Sequence, residues 1–236
     1  AERAKRAALL TVTIVASRAA RLGQVTATRP IPASVPGRFV RLEPLTSAHL
    51  PALYRAIGNP RVFAGGYGGG PAGLPGSEAE FVEFATGYYA FGTGNPSAVF
   101  LSGGPHDGEL VGTSTLSDFA PSQGSTHIGW TAYDPRVWGT AVNAETKLLM
   151  LGLAFDHGFE RVKIQADALN ERSRAAILRL GATFEGVLRH DRLRADGTWR
   201  DTAVYSILAA EWPDVRAGLE ARLARQGDRP VLYRST

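Results

Sequence analysis

Arg136, Gly139 and Ala141 stand in the stretch DPRVWGTAVNAETK (134–147), which runs into the apolar segment Leu148 to Phe155. The first N–H groups of a helix have no partner inside it, and the summed peptide dipole adds partial positive charge there. Small residues at 139 and 141 let a phosphate approach such a helix mouth, and Arg136 adds a cation. A plain strand-to-helix turn accounts for the same residues equally well, with Gly139 turning the chain and Arg136 as a solvated cap. A second cue is NERS (170–173), which opens a helix directly after a strand. Asn170 is an ordinary N-cap and Ser173 an ordinary third helical residue. Two such turns in consecutive units would nevertheless bring both helix mouths to one end of neighbouring strands, where one holds a phosphate and the other a reacting group. The five histidines show no metal-ligand spacing and the chain has no cysteine, so neither a metal nor a thiolate nucleophile is expected.

The elements that must position these residues alternate along the chain. RFVRLEPL (38–45) has strand-like alternation, and TSAHLPALYRAIG (46–58) reads as a helix ended by Gly58. SEAEFVEFATGYYAF (77–91) is a second helix, with Ser77 and Glu80 spaced as a capping box. Strands are expected at 97–103, 109–119, 126–133 and 161–167, with the helix of the opening stretch, ending at His157, between the last two. A short helix follows at 170–181. The pair TFEGVLRHDRLR and WRDTAVYSIL flanks an Asp-Gly turn and reads as a hairpin, and a surface helix carries Val215, Leu219 and Leu223. This order predicts an α+β domain around one mixed sheet. The loop GGYGGGPAGLPG (65–76) lacks the Gly-Lys-Ser/Thr ending of a phosphate-binding loop and reads as a mobile connection.

With 236 residues, 44% of them hydrophobic, the chain can bury one good-sized core. No run approaches the roughly 18 apolar residues of a membrane span. The net charge of +4 invites a nucleic-acid reading, but residues 1–37 alone carry +5 and leave the rest at −1. A nucleic-acid partner is therefore not expected. Residues 1–37 read as a basic, flexible or loosely helical N-terminal extension: the layout around Ala7–Ala16 resembles a secretory signal, yet no small-x-small cleavage site follows. The domain is placed at 38–225 and a C-terminal tail at 226–236. The absence of cysteine fits a reducing cytoplasm.

Three segments in order, IGWTAYDPRVWGTAVNAETKLLMLGLAFD, RVKIQADALNERSRAAILRLGA and FEGVLRHDRLRADGTWRDTAVYSIL, resemble the GCN5-related N-acetyltransferases. Within that superfamily they are most similar to the branch of the Rim-type ribosomal-protein acetyltransferases. The resemblance spans about residues 38–225. Arg136, Gly139 and Ala141 match the family's pyrophosphate loop, Gln/Arg-x-x-Gly-x-Gly/Ala, and Asn143 follows it.

The resemblance implies a single domain with a central, mostly antiparallel mixed sheet flanked by helices and opened between its central strands. It implies acetyl-CoA as co-substrate, with the pantetheine arm between strands 126–133 and 161–167. Residues Val137, Trp138, Gly139, Thr140 and Ala141, with Arg136, Asn143 and Asn170, would bind the cofactor. Ser173 would protonate the departing thiolate. Relatives often carry Glu just before IGW, where this chain has His127. An imidazole titrates near neutrality and is a candidate general base, with Asp118 and Asp191 as rivals. Tyr67 or Phe63 would border the acceptor. The implied activity is acetyl transfer to a primary amine, either a small molecule or a protein N-terminus, by a monomer or a homodimer. A non-catalytic acyl-CoA sensor of the same fold is the alternative.

Overall fold

The computed structural model describes residues 27–235. Eight strands form one sheet in the order β1-β2-β3-β4-β5-β6-β8-β7. They are β1 (Val35–Pro36), β2 (Val40–Pro44), β3 (Asn95–Leu101), β4 (Leu110–Ala120), β5 (Ser125–Tyr133), β6 (Arg161–Asp167), β7 (Thr183–Leu193) and β8 (Trp199–Leu208). The helices are α1 (Leu50–Ile57), α2 (Pro60–Phe63), α3 (Glu78–Tyr88), α4 (Val142–Asp156), α5 (Glu171–Leu178) and α6 (Trp212–Ala224). The α+β order expected from the sequence holds, and the short elements β1 and α2 are additions to it.

Strand alternation divides the core between the two faces of the sheet. Along β3, Val99 and Leu101 join Leu42, Met150, Leu151 and Leu219, whereas Ala98 and Phe100 join Leu53, Ile57 and Phe81. The period of two therefore buries α4 and α6 on one face and α1 and α3 on the other.

Among the described strands only β5 and β6 run parallel, and their pairing covers Ser125↔Arg161 to Ile128↔Ile164. Beyond those residues the strands diverge, because β5 keeps following β4 while β6 follows β8. The ladder between β4 and β5 also breaks, stepping from Thr113↔Ala132 to Thr115↔Gly129, which leaves Trp130 and Thr131 without strand partners. Trp130 takes a left-handed φ of 48°, costly for a bulky side chain. Its indole Nε1 donates to the carbonyl of Tyr88 at 3.0 Å and holds the bulge in place.

Residues 27–37, read from the sequence as part of the extension, lie along the body. Ala27 is buried, Thr28 N–H donates to the His157 carbonyl at 3.0 Å, and Arg29 donates to Asn95 and to the carbonyls of Gly92 and Gly94. Residues 1–26 of that extension lie outside the described residues. The C-terminal residues are likewise packed, with Val231 buried and Arg234 N–H donating to the Arg136 carbonyl at 2.9 Å.

Glu145, in the first turn of α4, is buried and accepts from the N–H groups of Arg38, Phe39 and Val40 at 2.9, 2.6 and 2.7 Å. One carboxylate thus ties the start of β2 to the helix behind it. Removing it leaves three backbone donors unsatisfied, so Glu145→Ala should cost about 3 kcal/mol in urea unfolding. A loss below about 1 kcal/mol would mean that water replaces the carboxylate freely.

Candidate functional site

The opening between β5 and β6 is the mouth of a cavity. His127–Tyr133 of β5 and Ile164–Asp167 of β6 line its walls, Val137–Thr140 and Asn143 one rim, and Asn170, Arg172 and Ser173 the other. The edges of β5 and β6 past Ile128 and Ile164 lack each other as partners, so their backbone groups are free for a bound chain.

The helix mouth at 137–142 opens onto this cavity. The N-cap residue Ala141 offers no capping side chain to α4, and the Val142 N–H donates a long hydrogen bond to Thr140 Oγ1 at 3.4 Å. Gly139, at φ 73°, turns the chain without a side chain over the mouth. Its first-turn acid, Glu145, is drawn away to β2. By contrast Asn170 caps α5, accepting from Ser173 N–H at 3.0 Å and donating from Nδ2 to the Gly65 carbonyl at 2.5 Å.

The expected role of the Arg136 charge is not what the structure shows. Its guanidinium is engaged by Asp134, with Nη2–Oδ2 at 2.6 Å, and lies 3.9 Å from the Tyr233 ring centre, off the cavity wall. Asp134 raises the proton affinity of Arg136, which acts as a brace for the turn. Ala141 is buried as the N-cap and its carbonyl receives the Glu145 N–H at 2.9 Å. Val137, Trp138, Gly139, Thr140 and Asn143 do line the cavity. The cations at the mouth come from elsewhere. Arg172 lies 3.3 Å over the Trp138 ring, and Arg234 donates to the Gly139 carbonyl at 3.1 Å.

At the inner end, His127 is buried with Nδ1 3.3 Å from Asp118 Oδ2, while its Nε2 is buried without a partner among the described residues. Burial lowers the proton affinity of the ring, against an opposing pull from Asp118, so the neutral form prevails at pH 7. The hydrogen bond with His127, and beyond it Lys163, holds the Asp118 carboxyl well below the usual carboxylate range. Asp118 takes a left-handed φ of 49° at the second break in the β4–β5 ladder, one residue after Ser117, which pairs with His127. Gly129 leaves room for the imidazole, because a Cβ there would stand 2.5 Å from His127 Cε1. Of the two candidate acids, Asp118 contacts the imidazole, and neither Asp118 nor Asp191 lines the cavity.

The glycine loop is pinned. Gly66 packs against Asp167, the Gly69 carbonyl accepts from Ala195 N–H at 3.0 Å, and Tyr67 reaches the cavity with its hydroxyl bonded to that of Tyr89. Phe63 is fully buried in the core and does not border the cavity.

Lys147 was not singled out by the sequence, although its spacing from Asn143 places both on one face of α4. Its buried Nζ donates to Ser114 Oγ at 2.9 Å and Thr131 Oγ1 at 2.7 Å, the two hydroxyls that the ladder break brings together. Burial pushes its proton affinity down to about 7. The unfolded ammonium keeps its proton to about 10.5. Between the two values unfolding takes up a proton, and stability rises with pH. Lys147→Met should therefore raise the melting temperature at pH 7, with a gain that shrinks by pH 9. A gain or loss that stays constant over that range would refute the buried titration.

The acetyltransferase (GNAT) domain family model matches residues 40–183. A solved candidate acetyltransferase from T. thermophilus is 37% identical, with 83% of this chain and 100% of that one covered and a TM-score of 0.73. A GCN5-related N-acetyltransferase from Brucella melitensis is 27% identical over 84% of this chain and 89% of its own, with a TM-score of 0.75. Mycobacterium smegmatis RimJ, solved in complex with CoA-disulfide, shares the fold at 22% identity and a TM-score of 0.62, over 78% and 88% of the two chains. No curated protein matches the chain.

Proposed function

Because the chain belongs to the GNAT acetyltransferase domain family, we propose that it moves the acetyl group of acetyl-CoA to a primary amine by direct attack. The observation that carries this reading is the uncapped mouth of α4 on the same cavity as a buried histidine with an unpartnered Nε2. Acetyl-CoA supplies an activated thioester carbonyl. The α4 mouth receives its pyrophosphate, Arg234 and Arg172 standing nearby as cations, and the free edges of β5 and β6 take the pantetheine amides. A cytoplasmic site of action belongs to this reading. Among the described residues, no helix is long and apolar enough to cross a membrane.

The chain's own groups then divide the proton work. His127 Nε2 takes the proton of the amine as its nitrogen bonds to the thioester carbon, and Asp118 steadies the imidazolium that results. The backbone N–H groups of the Trp130–Thr131 bulge are the donors at hand for the carbonyl oxygen as it gains charge. Ser173 Oγ gives a proton to sulfur as the C–S bond breaks. Tyr67 and Tyr88 border the side from which the amine enters.

Calorimetry tests the cofactor half. Acetyl-CoA should bind at least ~100-fold more tightly than S-acetylpantetheine, which lacks the pyrophosphate. Equal affinities would remove the anion site.

The catalytic half separates by pH. Since the base must be neutral and burial lowers its pKa below 6.5, wild-type kcat/KM, once divided by the free-amine fraction of the acceptor, should fall as pH drops below that value. His127→Gln should lower the rate and abolish that limb. Ser173→Ala should lower kcat while leaving the limb and acetyl-CoA affinity unchanged. An unaltered limb in His127→Gln would assign the base elsewhere.

A further inference from the structure

The wall of the cavity contributed by the β7–β8 hairpin carries more positive charge than its neighbours neutralise. Arg192 and Arg200 are direct cross-strand partners, and both line the cavity that holds His127 and Tyr88. Like charges directly opposite on one face of an antiparallel pair repel. Arg194, just past the end of β7, satisfies Asp167 at 2.5 Å, and Arg192 lies 3.4 Å from Asp191. Arg200 makes no side-chain hydrogen bond among the described residues, and its Nε is fully buried without a partner. A half-buried guanidinium left in that state is costly unless something anionic arrives. Burial is accordingly the main influence lowering its proton affinity, with Arg192 adding to the effect. Arg192 also depresses the basicity of His127, which places the cationic wall within electrostatic reach of the base.

We propose that the acceptor is a primary amine bearing a carboxylate, and that Arg200, with Arg192 opposite it, binds that carboxylate while the amine faces His127. This rests on the transferase reading of the same cavity. A guanidinium presents two parallel N–H donors that match the two carboxylate oxygens, and an anion between two arginines also removes their mutual repulsion. Arg194 is excluded from the role because Asp167 already holds it.

The test pairs acceptors that differ only in that charge. Alanine, phenylalanine and glutamate are assayed with acetyl-CoA at pH 8 against their α-amides, and the dipeptides Ala-Asp-amide and Ala-Asn-amide against each other. The amides carry less basic amines, so at pH 8 more of each is unprotonated, and rates are compared per free amine. Wild type should favour the carboxylate member of at least one series by roughly 10- to 100-fold in kcat/KM. A preference in the first series identifies a free α-carboxylate, and one confined to the dipeptides identifies an acidic side chain near a peptide N-terminus. Arg200→Met should erase the preference, chiefly by raising KM for the acid, with calorimetric acetyl-CoA affinity unchanged as proof of an intact fold. Arg200→Lys should restore part of it. Equal turnover of acids and amides by wild type, or a preference surviving in Arg200→Met, would overturn the proposal and leave the transferase reading intact. Saturable quenching of tryptophan fluorescence by the acids alone, lost in Arg200→Met and without acetyl transfer, would instead retain the carboxylate site and overturn the transferase reading.

Discussion

Everything at the site depends on how soon β5 and β6 part. Their parallel pairing ends at Ile128↔Ile164, and past it each strand follows a different neighbour. A sheet interior tolerates such a gap only where unpaired N–H and C=O groups meet water or a ligand, since a buried unpaired peptide group costs about as much as a lost hydrogen bond. The divergence thus creates both a space and a set of directed polar groups inside an otherwise apolar domain. Both helices flanking the gap follow directly from these strands, so their N-termini arrive at its rim without further design.

Local strain is concentrated around that gap. Asp118 and Trp130 are two of the three non-glycine residues with left-handed backbone among those described, and each sits at a break in the β4–β5 ladder. One break aims a carboxylate at His127, and the other removes two residues of β5 from strand pairing. Lys147 supports the Trp130–Thr131 break by binding Ser114 and Thr131. The cost of burying that amine is set against the cost of leaving two hydroxyls and a bulge unsupported. Strain and buried polarity of this kind persist where the surrounding packing over-determines the conformation. Here the indole bond of Trp130 to Tyr88 and the core beneath α4 provide it.

The charge distribution differs between the two ends of the cavity. At the α4 mouth the loop's own arginine is consumed by Asp134, and the nearby cations come from α5 and from the C-terminal segment. At the other end the hairpin β7–β8 supplies Arg200, which has no acid partner among the described residues, opposite Arg192. His127 lies inside, neutral and oriented, with a hydrocarbon-rich strand between the two charged regions.

How much of this was legible in the residues follows from the range of the interactions involved. Strand alternation, caps such as Ser77 and Asn170, and the small-residue turn at Gly139 act over a few positions, so the sequence by itself determined the element order, the α+β class and the helix mouths. The resemblance singled out His127, Ser173 and Asn143, and all three line the cavity. Only the tertiary structure decided what the side chains face. Arg136 reads as a free cation until Asp134 and Tyr233 are seen around it, and Phe63 reads as a cavity wall until it is found in the core. Lys147 lies in an apolar helix with nothing nearby in sequence to flag Ser114 or Thr131, and Arg234 is 95 positions from the Gly139 carbonyl it binds. Such partners are chosen by sheet register and chain crossing, and local spacing carries no information about either.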